Sequence, residues 1–190
     1  MSRTSAAAAK ALTSEGLKNH FELFGLGPAY ALDLAHLDRA YHDIQSEIHP
    51  DRHAHAGDAQ RRAAMQWTTQ VNEAYRTLKN PVQRAKYLLE LNGVDVAFET
   101  DTAMPPQFLM EQLELREKLE QARAAGELAR LEKDLLQQQQ ALQAQIAECI
   151  DRRRDHEAAK TLVRKLVFLE KLGEEIDAAH ERIELKSPEA

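Results

Sequence analysis

The placement of proline is the feature that most restricts how this chain of 190 residues folds. No proline occurs between Pro106 and Pro188, so residues 107–187 lack the residue that breaks helices most strongly. Gly126 and the charged segment 151–157 divide this stretch, which predicts three helices over about 107–124, 127–152 and 156–185. Apolar residues recur on one face of the middle helix: Leu128, Leu131, Leu135, Leu142, Ile146 and Cys149. Long amphipathic helices joined by short turns predict an antiparallel three-helix bundle.

Residues that end helices occur more often in the first part of the chain, residues 1–93. Residues 1–17 are rich in alanine and serine and have no apolar periodicity, so we expect a mobile tail. Residues 18–93 predict four helices, of which the second and third are long. Pro81 suits the first turn of the fourth helix and Gly93 its end. A linker over residues 94–106 follows, and because no alternating strand pattern of useful length occurs, the predicted fold is all-α.

Composition excludes several classes of protein. Cys149 is the only cysteine, which excludes an internal disulfide and a zinc site built from several cysteines of this chain. The net charge is −6, so we expect no nucleic-acid partner, and the lack of a run of about 18 apolar residues predicts no membrane span. The charge is uneven, with 11 − 10 = +1 over residues 1–93 and 14 − 21 = −7 over 94–190. Such asymmetry suggests two parts with different partners.

The tripeptide His49-Pro50-Asp51 lies between the two long helices of the first part. Proline stiffens the loop, and a stiff, charged loop suits recognition, although Pro and Asp are also ordinary turn formers. Three further runs surround it: Phe21-Glu-Leu-Phe-Gly-Leu26, Val71-Asn-Glu-Ala-Tyr-Arg-Thr-Leu78 and Pro81-Val-Gln-Arg-Ala-Lys-Tyr87. Together these motifs, over residues 20–93, resemble a J-domain, the module by which co-chaperones engage an ATPase chaperone of the DnaK type.

Two runs in the second half narrow the resemblance. Phe108-Leu-Met-Glu-Gln-Leu-Glu-Leu-Arg-Glu117 and Val163-Arg-Lys-Leu-Val-Phe-Leu-Glu-Lys-Leu172 resemble the C-terminal domain of the HscB family of iron–sulfur cluster co-chaperones. The likeness covers residues 20–185 and implies a cytoplasmic protein that is not an enzyme and holds no cofactor or metal. It implies that the bundle binds IscU, the scaffold on which the cluster is built. The J-domain would bring IscU to a DnaK-type chaperone, HscA, and stimulate ATP hydrolysis there.

The resemblance implies that the chaperone contacts His49, Pro50 and Asp51. Arg39 in the preceding helix and Arg52 after the tripeptide are the best candidates for further charge contacts, the alternative being that both are solvated surface arginines. The same helix is weakly basic at best, since it also carries three acidic residues: Asp38, Asp43 and Glu47.

The first helix of the bundle has more apolar surface than a three-helix bundle needs. At about 100° per residue, the stripe predicted to face the core contains Phe108, Leu115, Leu119 and Ala122. A second sector is also apolar, with carboxylates in it or beside it, and Phe168 lies at the margin of the core stripe of the last helix. The HscB resemblance implies that these residues form the IscU docking surface: Leu109, Met110, Leu113, Glu114, Glu117 and Phe168. The alternative is that the linker or the J-domain covers the apolar sector.

Two other functions stay open from the residues. One is a J-domain protein whose bundle serves another client or self-associates. The other is a metal-binding or redox protein that uses His49, His53, His55 and Cys149. Pro50 prevents helical pairing of these histidines, and Cys149 falls on the core stripe, so we expect neither a metal site nor a reactive thiol.

Overall fold

The computed structural model describes residues 19–48, 57–96 and 104–184, so the predicted tail 1–17 and the tripeptide at 49–51 lie outside the described residues. Every regular element in the described ranges is helical. The chain divides into two compact units, residues 1–88 and 89–190. The helices are α1 (His20–Leu23), α2 (Leu34–Ile48), α3 (Asp58–Lys79), α4 (Pro81–Leu91), α5 (Pro106–Gln121), α6 (Ala125–Ala147) with a π-helical turn (Glu148–Arg153), and α7 (His156–Glu184).

Side-chain caps fix the helix starts of the first unit. The carboxylate of Asp33 accepts a hydrogen bond from the His36 backbone N–H at 3.0 Å at the start of α2. Asn80 is the single residue between α3 and α4, and its side chain accepts from the Gln83 N–H at 2.8 Å, so this donor at the start of α4 is paired. The core between the helices is apolar and fully buried: Phe21, Leu37, Val71, Ala74, Leu78 and Ala85.

Glycine ends α4 as predicted. Gly93 adopts a φ of +76°, a left-handed conformation that costs glycine little. The Val94 N–H reaches the Leu89 carbonyl at 3.0 Å and the Gly93 N–H reaches the Glu90 carbonyl at 2.9 Å. These two bonds form a Schellman motif, which satisfies carbonyls that the helix itself leaves unpaired.

The second unit is the bundle of α5, α6 and α7. Its central cluster of buried side chains draws on all three helices and on Met104, which precedes α5. The helical members are Phe108, Leu119, Leu128, Leu135, Leu169, Leu172, Ile176 and Ala179. Between α6 and α7, the Gln139 side-chain amide donates to the Leu169 carbonyl at 3.2 Å. The predicted helix bounds are correct to within a few residues. Short connections join α5 to α6 and α6 to α7, so successive helices run antiparallel, as expected for an up-down bundle.

Two details of α6 differ from the sequence prediction. The helix begins at Ala125, so Gly126 lies inside it rather than before it. The Glu127 carboxylate explains this, because it accepts from the Arg123 and Ala124 N–H groups at 2.7 and 3.3 Å and so caps the start. At the other end the helix continues as the π-helical turn and stops at Arg154, which has a φ of +55°.

Cys149 is buried in that turn, as predicted, with 1 % of its surface exposed. Its Sγ accepts a hydrogen bond from Arg153 Nη2 at 2.6 Å. Within the three described ranges, no set of three His, Cys, Asp or Glu side chains could hold a metal ion. His49, His53 and His55 lie outside those ranges. No helix among the described residues is long and apolar enough to cross a membrane.

A pH-dependent contribution to stability is expected at His20. Its ring stacks on Tyr87 with centroids 4.3 Å apart, and its backbone N–H donates to the Tyr87 hydroxyl at 2.9 Å. Burial lowers the pKa of His20 below 6.5, against a smaller opposing effect of the Glu73 carboxylate. The neutral ring is therefore favoured in the folded state, and this stabilisation is complete above pH 6.5 and is lost as the pH falls through the lowered pKa.

His20→Phe keeps an aromatic ring and removes the titration. We expect the denaturation midpoint of the unchanged chain to fall more than that of the variant between pH 7.5 and pH 5, measured by urea unfolding. Parallel pH profiles of the two proteins would contradict this expectation.

Candidate protein-interaction surfaces

The inner face of α2 is held against α3 by aromatic and polar contacts. Tyr41 stacks on Tyr75 with ring centroids 3.9 Å apart, and the Tyr41 hydroxyl donates to Asn72 Oδ1 at 3.0 Å. The Gln45 amide donates to the same Asn72 oxygen at 2.7 Å. Residues later in α2 thus meet residues earlier in α3, so the two helices are antiparallel. The tripeptide lies in the sequence between Ile48, where α2 ends, and Asp58, where α3 begins.

Asp38 on α2 is neutralised by a residue of α3. Its carboxylate accepts from the Tyr75 hydroxyl at 2.8 Å and from Lys79 Nζ at 3.0 Å, and these two hydrogen bonds lower the pKa of Asp38. The Asp38 charge is therefore paired within the unit. The outer face of α2 keeps Arg39, which is exposed, and its charge is opposed by the exposed acids Asp43 and Glu47.

The predicted chaperone-binding residues are only partly described. Arg39 lies on the outer face of α2, away from the contacts with α3. His49, Pro50, Asp51 and Arg52 lie outside the described residues, and their assignment stays a prediction.

The second apolar sector of α5 is exposed. The exposed fractions are 45 % for Leu109, 65 % for Met110 and 59 % for Leu113. We call these three residues the apolar ridge. Glu114 and Glu117 are exposed beside it. Exposure of neighbouring large apolar side chains favours a docking role over a role in the bundle core.

Phe168 lies between the core and the surface of α7. It is partly buried against the central cluster and meets Phe108 of α5 edge-on, with ring centroids 6.0 Å apart at 82°. Two turns further along, Arg116 of α5 pairs with both carboxylate oxygens of Glu175, at 3.1 and 3.3 Å from Nε. The flank of α5 that leads to the ridge therefore packs along α7, and Phe168 belongs to that seam.

Sequence reasoning missed one residue of this seam. Gln112 is 2 % exposed, and neither its side-chain oxygen nor its nitrogen forms a hydrogen bond with a described residue. Its helical position gave a signal, since it lies roughly 40° from Phe108 on the stripe that faces the core. A buried polar group without a partner requires an explanation.

Comparison with known families defines the class of protein. The DnaJ-domain family model matches residues 19–87, and the model described as the HSCB C-terminal oligomerisation domain matches residues 104–177. The protein is a J-domain co-chaperone, of a class that works with a DnaK-type chaperone, regulates the ATPase of that partner and is not itself an enzyme.

The family follows from curated relatives. The chain is 48 % identical to the co-chaperone protein HscB homolog of Azoarcus sp. over 170 residues, which cover 88 % of this chain and 96 % of the relative. It is 51 % identical to the homolog of Burkholderia thailandensis over 169 residues, or 87 % and 96 % of the two chains. The chain belongs to the HscB family of co-chaperones.

Solved structures agree with this fold. Chaperone HscB from Vibrio cholerae matches with a TM-score of 0.77 at 36 % identity, covering 87 % of this chain and 99 % of that one. Human co-chaperone protein HscB matches with a TM-score of 0.82 at 27 % identity, covering 87 % and 84 %. The predicted all-α fold, a J-domain followed by an HscB-type bundle, is confirmed.

Proposed function

We propose that this protein is the cytoplasmic co-chaperone that links an iron–sulfur scaffold to its chaperone. The bundle, residues 107–187, binds IscU, and the J-domain, residues 18–93, engages the DnaK-type chaperone HscA and stimulates its ATPase. The scaffold would contact the apolar ridge with Glu114, Glu117 and Phe168. The chaperone would contact the loop residues and two arginines: His49, Pro50, Asp51, Arg52 and Arg39.

The apolar ridge is the observation that supports binding of the scaffold by the bundle. Its three side chains are exposed although the bundle core is filled by other residues of α5, such as Phe108 and Leu119. Apolar surface that a fold does not need for itself supports a partner, because its burial on docking is favourable.

The neighbouring chemistry suits a protein partner. Met110 is unbranched and adapts to an irregular surface, so it would fill gaps against the scaffold. Glu114 and Glu117 would lie at the rim of the contact, where charges set orientation and association rate more than affinity. The bundle half has a net charge of −7, which favours a scaffold with a basic rim around its apolar patch.

The J-domain would act by shifting the balance of the chaperone between its ATP-bound and ADP-bound conformations. A ligand changes such a balance only by the difference in its affinity for the two states. The tripeptide would therefore bind the ATP-bound chaperone more tightly than the ADP-bound form. Binding of IscU to the other unit of the same chain brings client and chaperone together at a raised effective concentration.

Calorimetric titration of IscU into the full chain tests this function. We expect saturable binding with one scaffold per chain, and faster steady-state ATP hydrolysis by HscA when both proteins are present. The absence of measurable heat and of an IscU-dependent change in sedimentation would remove IscU as the partner.

Self-association of the bundle is a second candidate. It is favoured by the description of the matching family model as an oligomerisation domain. Sedimentation equilibrium of the chain alone separates the two, since self-association predicts a mass that rises with concentration. Under the scaffold proposal the chain alone is a monomer at the concentrations used for titration.

A further inference from the structure

The unpaired side chain of Gln112 lies beside the docking surface. Phe108, Gln112 and Arg116 follow one another at intervals of four residues, and side chains so spaced share one face of a helix. The first and last of them contact Phe168 and Glu175 of α7. Gln112 therefore lies in the seam between α5 and α7, next to Leu109 and Leu113 of the apolar ridge.

The bundle uses a similar glutamine differently. Gln139 lies in the other seam of α7 and donates its amide to the Leu169 carbonyl at 3.2 Å. Gln112 is more deeply buried, at 2 % exposed, and both its oxygen and its nitrogen lack a partner among the described residues. Leaving such a group unpaired destabilises the folded state, whereas leucine or methionine in its place would avoid that cost.

The chemistry of the amide limits what could satisfy it. A primary amide offers a donor and an acceptor side by side, which matches the C=O and N–H that one residue of an extended main chain presents on the same side. The interior of a helix on the partner would offer neither, because its main-chain groups are paired internally. A loop or the edge of a strand offers both, as in recognition of extended segments.

We propose that Gln112 is a specificity-determining residue of the docking surface, whose amide pairs with an exposed main-chain segment of the scaffold. The inference rests on the proposed function, because it needs a scaffold bound over the apolar ridge. This pairing requires the flexible side chain to rotate out of the seam toward the apolar ridge, so that the amide meets the scaffold. The scaffold thus relieves an unpaired polar group in the same step that buries the ridge.

Gln112→Met tests this, since methionine keeps an unbranched side chain of similar length and removes the amide. We expect the variant to unfold at a higher temperature than the unchanged chain and to bind IscU about tenfold more weakly, by calorimetry on the full chain. Gln112→Leu should behave in the same way. The matched control Gln139→Leu loses its bond to Leu169, so it should unfold at a lower temperature and bind IscU unchanged.

Leu113→Ala separates docking of the scaffold on the apolar ridge from pairing of the Gln112 amide. If Leu113→Ala weakens binding while Gln112→Met and Gln112→Leu bind within twofold of the unchanged chain, the amide is not used and this inference is overturned. It is also overturned if both Gln112 variants unfold at lower temperature, because the amide is then a structural group of the seam. If the unchanged chain does not bind IscU, the proposed function itself fails.

Discussion

Replacing Asp51 by alanine is expected to reduce the stimulation of the chaperone ATPase at least tenfold and to leave IscU affinity unchanged. Asp51 follows Pro50 in the sequence, and because proline restricts the main chain, the sequence predicts a stiffened loop around this carboxylate. A hydrogen bond to a charged group is worth about 1.5–3 kcal/mol, which corresponds to about 10- to 100-fold in affinity for the stimulated state. Steady-state ATP hydrolysis with and without the variant measures the effect.

Asp43→Ala is the matched control. Asp43 is an exposed acid on α2, the helix that precedes the tripeptide in the sequence. The Asp43→Ala variant should stimulate the chaperone ATPase to within twofold of the unchanged chain, since a surface charge contributes little to a specific contact. Equal stimulation by Asp51→Ala and the unchanged chain would refute the assignment of the tripeptide, and loss of IscU binding by Asp51→Ala would refute the division of labour between the two units.

The helices could be predicted because their ends are determined locally. Pro81 and Pro106 each stand at the first position of a helix, Asp33 caps α2, and Gly93 closes α4 in a left-handed conformation. Each of these effects involves residues within one turn of one another, so the sequence pattern contains the information. The start of α6 is also determined locally, because the Glu127 carboxylate accepts from the Arg123 N–H, although Gly126 in the first turn indicated a break at that point.

Neighbours across the seams could not be predicted in the same way. A helical projection assigns an angle to each residue but does not name the side chain opposite. Leu34 lies three residues before the buried Leu37 and so shares its face of α2 by helical spacing, yet it is 42 % exposed at the first position of the helix. The pairing of Asp38 with Lys79 and the isolation of Gln112 depend on contacts between residues far apart in sequence.

The candidate surface was predictable to different extents. The surplus of apolar residues on α5 follows from periodicity alone, and the structure places those side chains in solvent. The identity of a partner does not follow from periodicity, since an apolar ridge specifies burial and not the molecule that covers it. That assignment comes from the likeness to the HscB family, and it remains a proposal for the individual residues.

Removing the apolar ridge is expected to have the largest effect on scaffold binding. In the triple variant Leu109→Ala, Met110→Ala, Leu113→Ala, each change removes a side chain that is about half exposed in the free protein. Burying half of such a side chain contributes about 1–1.5 kcal/mol, so the three together contribute about 3–4.5 kcal/mol. Every 1.4 kcal/mol is a factor of ten, so affinity for IscU should fall more than about 100-fold in calorimetry.

The stability of the bundle should change little, because alanine is a strong helix former and none of the three side chains is in the buried cluster. Leu136→Ala is the matched control, since Leu136 is 52 % exposed on α6, outside the ridge. It should bind IscU as the unchanged chain does. Phe168→Ala should differ from both, because Phe168 packs on Phe108 and its loss should lower the unfolding temperature as well as the affinity. If the triple variant and Leu136→Ala bind alike, the scaffold does not dock on α5.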